Sequence, residues 1–392
     1  MNSSVEWITR LASFDTTSRI SNLELIDCVA DELRRVGVEP LILGNEDAAQ
    51  VRKANLFATF PACDGRTDGG IVLSGHTDVV PVDGQDWDSD PFTAQQRGGR
   101  LYGRGTADMK GYLGVILSRL ERISQATLTE PLHLAFSYDE EVGLLGAERM
   151  IGQFAGHGIR PASCIVGEPS GMRVVRGHKS INLFVARFRG VAAHSSLTPQ
   201  GVNAIHYAGR FIEFYRQLTH HWRENGPFDD AYPVPFTTGG VNLISGGIAG
   251  NTVPDACEVE FEFRALGTVD TAPVVAQIRE FLFDVLEPEM KAEQAAAGVE
   301  LIVKAQGPGL EVDDDAGIVR LAQDCGGLPS DEKVTYGTEA GLFHRAGIET
   351  VVCGPGEIAV AHAANEYVDL EQIEACESFV DSLIERLERG TA

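Results

Sequence analysis

The sequence has few positive charges for its length, and it has no long hydrophobic run. Its 392 residues contain 32 Lys and Arg against 57 Asp and Glu, which gives a formal net charge of −25. This balance argues against a nucleic acid or an anionic membrane as a partner. No apolar stretch approaches the roughly eighteen residues that a membrane-spanning helix needs. The segment 1–8 carries the acidic Glu6 and no long apolar core, so it predicts an amphipathic first helix rather than a signal peptide.

Paired cysteines and a phosphate-binding loop are also missing. The seven cysteines are scattered and never form Cys-x-x-Cys, which argues against a disulfide framework and against a zinc site built on cysteine. Several stand in apolar runs, as Cys164 and Cys353 do, and we expect small buried side chains in a reducing cytoplasm. The glycine-rich stretch 103–111 lacks the G-x-x-x-x-G-K-[ST] spacing, so a nucleotide-binding α/β protein has no support.

What is present is an alternation of strand-like and helix-like segments. Over the first 170 residues, short apolar runs alternate with segments of helical periodicity, which predicts an α/β sheet. From residue 181 the predicted order is strand, helix, strand, strand, helix, strand, which is a split βαβ arrangement. We therefore expect a compact α+β domain over 180–306, inserted into an α/β domain made of 1–179 and 307–392.

His76 and Asp78 follow a short apolar run at 70–73, which predicts a buried strand because it is too short for a helix. In an open α/β sheet, ligands gather at the carboxyl ends of the strands. Histidine is a good zinc ligand, and an aspartate beside it can orient the ring. A polar turn is an equally good interpretation of these two residues alone, so both interpretations stay open on this stretch.

Further polar side chains follow other predicted strands or begin predicted helices, namely Asp108, Glu140, Glu141, Glu168 and His362. Each has an ordinary structural interpretation, such as a helix cap for Asp108 or a solvated acidic turn for Glu140 and Glu141. A cluster of these side chains at one edge of a sheet would be costly without a cation, because like charges repel each other. Together they favour a metal site, and two divalent ions would neutralise the cluster.

The chain resembles the co-catalytic zinc amidohydrolase and peptidase family, which includes acetylornithine deacetylase, succinyl-diaminopimelate desuccinylase, aminoacylases and carboxypeptidase G-type enzymes. The resemblance runs from about Phe14 to Tyr367, and the motifs occur in the order typical of the family. They are Ser-Gly-His-Thr-Asp-Val-Val-Pro (74–81), Gly-Arg-Gly-Thr-Ala-Asp-Met-Lys-Gly (103–111), Asp-Glu-Glu-Val-Gly (139–143), Gly-Glu-Pro-Ser (167–170) and the region of His362. The resemblance implies a metallopeptidase-like catalytic domain with a mixed sheet flanked by helices. It also implies that the inserted domain is ferredoxin-like and joins two copies into a homodimer.

The resemblance further implies two zinc ions per subunit, for which cobalt can substitute. Five residues would hold them: His76, Asp108, Glu141, Glu168 and His362. His76 and Glu168 would bind one ion, Glu141 and His362 would bind the other, and Asp108 would bridge both. Asp78 would orient His76, and Glu140 would be the general base that passes a proton from water to the leaving amine. A glutamate at position 168 suits the deacylase and desuccinylase branch, since aminopeptidase members tend to carry aspartate there.

Other residues are implied to meet the substrate. The stretch 190–196 resembles the dimerisation motif of the family, in which His194 reaches the active site of the neighbouring subunit and helps to hold the oxyanion. Asn251 and Arg264 are candidates for the substrate carboxylate, because a guanidinium offers a planar fork, but Arg264 also fits a structural ion pair. Thr338 and Glu339 are further candidates. Glu339 would meet a substrate ammonium, or it would be a solvated loop residue.

Within the family, the stretches 168–179, 226–229, 336–343 and 354–362 look most like those of acetylornithine deacetylases. This implies hydrolysis of N2-acetyl-L-ornithine to L-ornithine and acetate, a step of arginine biosynthesis. The alternative is a deacylase or desuccinylase for another N-acyl amino acid, or a carboxypeptidase G-like amidohydrolase. An alternative of another class is a non-catalytic metal-binding dimeric scaffold, but that interpretation needs a degraded site, whereas Glu140 and all five ligands are present.

Overall fold

The computed structural model describes residues 3–45 and 51–389, and the chain forms two compact units. The first unit comprises Met1–Gly177, Glu311–Asp331 and Thr338–Ala392, and the second comprises His178–Leu310 and Glu332–Gly337. Relative to the expected division, the second unit begins two residues earlier and its main segment ends four residues later. It also includes 332–337, which the sequence had assigned to the α/β domain.

The helices and strands of the described residues have the following bounds. The α-helices are α1 Ser4–Ala12, α2 Leu23–Arg35, α3 Lys110–Ser118, α4 Leu120–Gln125, α5 Leu145–Phe154, α6 Ala204–Asn225, α7 Ala272–Glu280, α8 Glu287–Glu293, α9 Gly317–Asp324, α10 Ala340–Arg345 and α11 Leu370–Arg389. The strands are β1 Leu41–Gly44, β2 Ala54–Phe60, β3 Ile71–His76, β4 Gln95–Arg97, β5 Arg100–Tyr102, β6 Leu132–Ser137, β7 Ser163–Pro169, β8 Gly177–His178, β9 Ile181–Arg189, β10 Thr238–Gly246, β11 Ala256–Arg264, β12 Gly298–Gly307, β13 Leu310–Glu311, β14 Glu349–Gly354 and β15 Tyr367–Asp369.

A six-stranded mixed sheet forms the centre of the first unit, in the order β1-β2-β6-β3-β7-β14. The last four of these strands run parallel to one another, whereas β1 with β2 and β2 with β6 pair antiparallel. Every residue of β3 and β6 is buried, as expected for central strands covered on both faces. Helix α3 packs on β3 and β7, and α9 and α10 pack against β7 and β14. The carboxyl ends of the four parallel strands therefore meet at one edge of the sheet.

The second unit is built on a four-stranded antiparallel sheet in the order β10-β11-β9-β12. Its chain order, with α6 after β9 and α7 and α8 after β11, confirms the predicted split βαβ arrangement. Buried aromatic rings join α6 to the sheet, and the ring centroids of Phe211 and Phe261 lie 4.9 Å apart. Such pairs contribute more than their buried area alone.

Some segments differ from the prediction because of contacts that the sequence does not display. The sequence after Gly111 predicts one helix through about Arg122, but the helix is interrupted at Arg119, between α3 and α4. The sequence predicts a short strand over 163–166, but β7 continues to Pro169, since Gly354 of β14 pairs with that residue. Glu168 therefore lies within β7 rather than in a turn after it.

The cysteines and the helices also bear on the expectations from composition. All seven cysteines have free thiols, and five of them, including Cys164 and Cys353, are buried. The expectation of small buried side chains is confirmed for these five. Among the described residues, no helix combines the length and apolarity that crossing a bilayer requires.

Candidate active site

Asp108 lies between two histidines, one at the end of β3 and one in the loop before β15. Its Oδ1 is 2.9 Å from His76 Nε2, and its Oδ2 is 3.0 Å from His362 Nε2. The interpretation of Asp108 as a helix cap is wrong, because α3 begins at Lys110 without a capping side chain. The carboxylate is instead engaged by the two imidazoles.

The first cluster of candidate ligands consists of His76, Asp108 and Glu168, whose ligand atoms all lie within 4.8 Å of one another. All three residues are buried, with 1%, 5% and 4% of their surface exposed. Glu168 Oε1 lies 3.8 Å from His76 Nε2 and accepts no hydrogen bond from the described residues. A buried carboxylate oxygen without a donor is expensive unless something else satisfies it, and a cation would do so.

The second cluster consists of Asp108, Glu141 and His362, with the same spacing limit. His362 Nε2 is 3.1 Å from Glu141 Oε1. The Glu141 side chain is only 7% exposed, so it is not the solvated turn that the sequence allowed, whereas the His362 side chain is 51% exposed. Asp108 is common to both clusters, and each cluster offers the nitrogen and oxygen donors that zinc accepts.

The ring orientation of His76 is set from behind by a backbone carbonyl. The carbonyl oxygen of Asp78 is 2.9 Å from His76 Nδ1. A carbonyl can only accept, so Nδ1 is the donor, and Nε2 is the ring nitrogen that faces Asp108. The nearest carboxylate oxygen of Asp78 is farther from Nδ1, at 3.6 Å.

The Asp78 carboxylate holds the loop that follows β6. Its Oδ1 accepts from the backbone N–H of Glu140 at 3.1 Å, and its Oδ2 accepts from that of Glu141 at 3.3 Å. The Ser18 hydroxyl donates to Oδ2 at 2.7 Å. The sequence indicated only the connection to His76. The structure adds that this one carboxylate fixes the backbone of both the candidate base and a candidate ligand.

The pKa values describe a site arranged for positive charge. Burial, and next the neighbouring carboxylates, raise the pKa of Glu140 and of Glu168 well above the usual range. Burial disfavours the charged form of His76, but hydrogen bonds with Asp108 and Asp78 outweigh it and raise the pKa of that imidazole well above 6.5. Hydrogen bonds with Asp108 and Glu141 raise the pKa of His362 to about 10. For both imidazoles the cause of the raised pKa is the same, namely the carboxylates that surround them.

The sequence pattern of peptidase family M20/M25/M40 matches residues 72–386, which is most of the chain. The chain belongs to this family. Acetylornithine deacetylases from Myxococcus xanthus and Proteus mirabilis are 36% and 33% identical to it, over 95% and 96% of this chain and 94% and 92% of theirs. A crystal structure of an M20 family metallo-carboxypeptidase from Sulfolobus solfataricus has a TM-score of 0.73 at 17% identity and covers 100% of both chains, which shows the shared fold.

Membership of the M20 family confirms the predicted family and fold class. The protein is a hydrolase of a metal-dependent family whose members typically hold two ions, and the two clusters that share Asp108 fit that description. The individual roles of the five candidate ligands and of Glu140 stay predictions.

The candidate substrate residues of the first unit are buried. Thr338 is 1% exposed and accepts the N–H of Ala340 at 3.1 Å. Glu339 is 0% exposed, and its two oxygens accept hydrogen bonds of 2.6 Å from the hydroxyls of Ser74, within β3, and Ser137, at the end of β6. Glu339 is therefore not a solvated loop residue. Its predicted contact with a substrate ammonium stays a prediction.

The candidate residues of the second unit lie in two places. His194 and Asn251 are exposed neighbours, because the N–H of Ser195 donates to the Asn251 carbonyl at 2.9 Å. Arg264 pairs with Glu262 at 3.0 Å, which is the structural ion pair that the sequence left open. Binding of a substrate carboxylate by Asn251 and Arg264 stays a prediction.

The sequence analysis did not identify several buried charged residues that lie next to this site in the fold. Arg104 and Glu366 form an ion pair with both side chains only 1% exposed. Lys53 pairs with Asp139, the residue before Glu140, and both side chains are largely buried. The only sequence signal was that Arg104, Glu366 and Asp139 stand inside or next to the motifs already named.

Proposed function

We propose that this protein is a zinc-dependent deacylase of N-acyl amino acids that converts N2-acetyl-L-ornithine to L-ornithine and acetate, as a step of arginine biosynthesis. The observation that carries the proposal is the pair of ligand clusters that share Asp108 and lie beside Glu140. The two relatives named acetylornithine deacetylase, which match almost end to end, support the choice of substrate.

The donor set fits two divalent ions. Each cluster combines one imidazole with carboxylates, a composition suited to zinc and also accepted by cobalt. His76, Asp108 and Glu168 would hold one ion, and Asp108, Glu141 and His362 the other. When bound, such ions polarise an acyl carbonyl and lower the pKa of water.

In this proposal, Glu140 moves the protons of the reaction. Burial and the surrounding carboxylates raise its pKa, which brings it closer to the range where a carboxylate accepts a proton readily and returns it. The N–H of Glu140 donates to Asp78, which fixes the backbone from which the Glu140 carboxylate extends. We assign Glu140 as the base that takes a proton from water and delivers it to the leaving amine.

The second unit is proposed to bind substrate and to form a homodimer. Its edge strand β10 exposes Leu243 and Ile244 by 64% and 54%, and Ile248 beyond it is 88% exposed. An edge strand with exposed apolar side chains is a typical pairing surface. In this proposal His194 acts on the active site of the partner subunit, and Asn251 and Arg264 bind the substrate carboxylate. The free thiols favour the cytoplasm as the compartment.

A substrate panel tests the proposal. Protein supplied with two equivalents of zinc or of cobalt is assayed for cleavage of acetyl, formyl and succinyl derivatives of ornithine and of several other amino acids. We expect acetate release to be fastest from N2-acetyl-L-ornithine, to stop on treatment with a chelator and to return with either ion.

The panel also separates the alternatives. Rapid cleavage of another N-acyl amino acid, with none of acetylornithine, would make the substrate assignment wrong and leave the hydrolase intact. A protein that binds neither zinc nor cobalt would instead support a scaffold role.

A further inference from the structure

A buried ion pair, Arg104 with Glu366, lies directly behind the candidate ligands. Arg104 Nη1 is 2.7 Å from Glu366 Oε2, and both side chains are 1% exposed. Removing two charges from water costs about as much as their attraction returns, so such a pair is a poor source of stability. Its other contacts show what else it does.

The second oxygen of Glu366 holds the backbone of Asp108. Glu366 Oε1 accepts hydrogen bonds from the N–H groups of Ala107 and Asp108, at 2.9 and 3.0 Å. The Glu366 carbonyl accepts a further bond of 2.9 Å from the N–H of Gly103. Three successive contacts thus attach the 103–108 loop to one residue near the other end of the chain. Asp108, the residue shared by both ligand clusters, takes its position from that attachment.

The other side of the ion pair leads to His362. Arg104 Nη2 donates to Gln85 Oε1 at 2.6 Å, and Gln85 Nε2 donates to the carbonyl of His362 at 2.7 Å. The indole N–H of Trp87 also donates to Gln85 Oε1, at 3.0 Å, which fixes the orientation of the amide. The Gln85 amide therefore has its oxygen toward Arg104 and its nitrogen toward His362.

We propose that Glu366 and Arg104 are positioning residues that fix Asp108 and His362 relative to each other, with Gln85 as the link to His362. Asp108 and His362 stand on loops far apart in sequence, and Asp108 Oδ2 lies 3.0 Å from His362 Nε2. The ion pair holds the loop of Asp108 directly and the loop of His362 through Gln85, so it sets that separation before a metal ion binds. The inference rests on the proposed metal site and not on the proposed substrate.

Two variants test the two connections of the ion pair separately, one to Asp108 and one to His362. Glu366→Gln removes the charge opposite Arg104 and loosens the 103–108 loop. Gln85→Glu keeps an acceptor for Arg104 and Trp87 but loses the N–H that His362 needs. Arg119→Met is the matched control, because Arg119 forms a partly buried ion pair with Glu377 and Asp381 in the same unit, with no contact to the candidate ligands.

The measurements are the affinities for zinc by chelator competition, the visible absorption of the cobalt-loaded protein, and the unfolding temperature. Loss of a residue that supports a ligand typically lowers metal affinity about 10- to 100-fold. We expect Glu366→Gln to lower the affinity for both ions by this factor, because Asp108 belongs to both clusters. We expect Gln85→Glu to lower the affinity for only one ion and to change part of the cobalt spectrum. Arg119→Met should lower the unfolding temperature and leave both affinities unchanged.

The outcomes distinguish this inference from the proposed function. If wild-type protein binds two ions and the Glu366 and Gln85 variants bind both as tightly with the same cobalt spectrum, the ion pair is only structural and the inference is wrong. If wild-type protein binds no ion, the proposed metal-dependent function is wrong, and so is the inference that rests on it. Should Glu366→Gln fail to fold, the partly exposed Gln85 still decides the matter, since an unchanged Gln85→Glu variant overturns the link to His362.

Discussion

Loading the metal-free protein with zinc at pH 8 should release at least about one proton per subunit. His362 has its pKa raised to about 10 by Asp108 and Glu141, so at pH 8 most of it is protonated. The pKa of His76 is also raised well above 6.5, against the effect of burial, by hydrogen bonds with Asp108 and Asp78. Only a neutral imidazole binds zinc, so His362 must lose its proton when the ions enter, and any protonated fraction of His76 must do the same. Protonated Glu140 or Glu168 would add to this number.

Isothermal titration in buffers of different ionisation enthalpy measures the number of protons released. Each proton displaced makes the apparent affinity rise about tenfold per pH unit, so zinc should bind more tightly as the pH rises from 7 to 9. His362→Ala removes one titrating ring and should lower the release by about one proton. Arg119→Met, away from the site, should leave it unchanged.

The same pKa values fix the sign of a stability effect. Because the folded-state pKa of His362 lies above its unfolded value, its contribution to the metal-free fold is fully present below about pH 6.5 and is lost as the pH rises through about 10. A release below one proton, together with a zinc affinity that does not change between pH 7 and 9, would show that the imidazoles are already neutral. The electrostatic reasoning for both clusters would then be wrong.

Three further predictions concern single substitutions. Glu140→Gln should lower kcat by roughly 10²- to 10⁴-fold with both ions still bound, which metal analysis and steady-state kinetics would check; near-normal turnover would remove Glu140 from its role as base. Asp78→Asn leaves one acceptor oxygen for three donors, so we expect about 1–3 kcal/mol less stability to urea and a lower kcat, whereas an effect confined to the ion held by His76 would contradict the observed contacts with residues 140 and 141. Gly167→Ala would place its Cβ 2.1 Å from ring atoms of the buried Tyr112, and it should cost at least about 1–3 kcal/mol in urea unfolding; a variant as stable as wild type would show that the ring moves aside freely.

Local patterns in the sequence were enough to predict the elements that carry the candidate ligands. The apolar run at 70–73 predicts a buried strand because it is too short for a helix, and β3 ends at His76. The sequence also predicts a helix from about Leu145 to Phe154, and α5 has those bounds, since helical periodicity is a local property. The order of elements in the second unit was likewise visible, because hairpin and helix periods change at each boundary.

The supporting contacts were not predictable in the same way. Asp78 holds residues 140 and 141, which lie 62 and 63 positions away, and Glu366 holds Asp108 from 258 positions away. Glu339 is buried, and the hydroxyls of Ser74 and Ser137 donate to its two oxygens. Charge and residue type alone do not distinguish a buried carboxylate with donors from an exposed one.

By itself, the sequence determined which residues could bind metal, since the residue type and the position after a predicted strand can be read from a short stretch of sequence. It also determined the family, through motifs that occur in a fixed sequence. Only the tertiary structure decided that a backbone carbonyl orients the ring of His76 and that a buried ion pair connects the loops of Asp108 and His362. The physical reason is that hydrogen bonds and ion pairs depend on distances of about 3 Å, and the chain brings distant residues to that distance only when it folds.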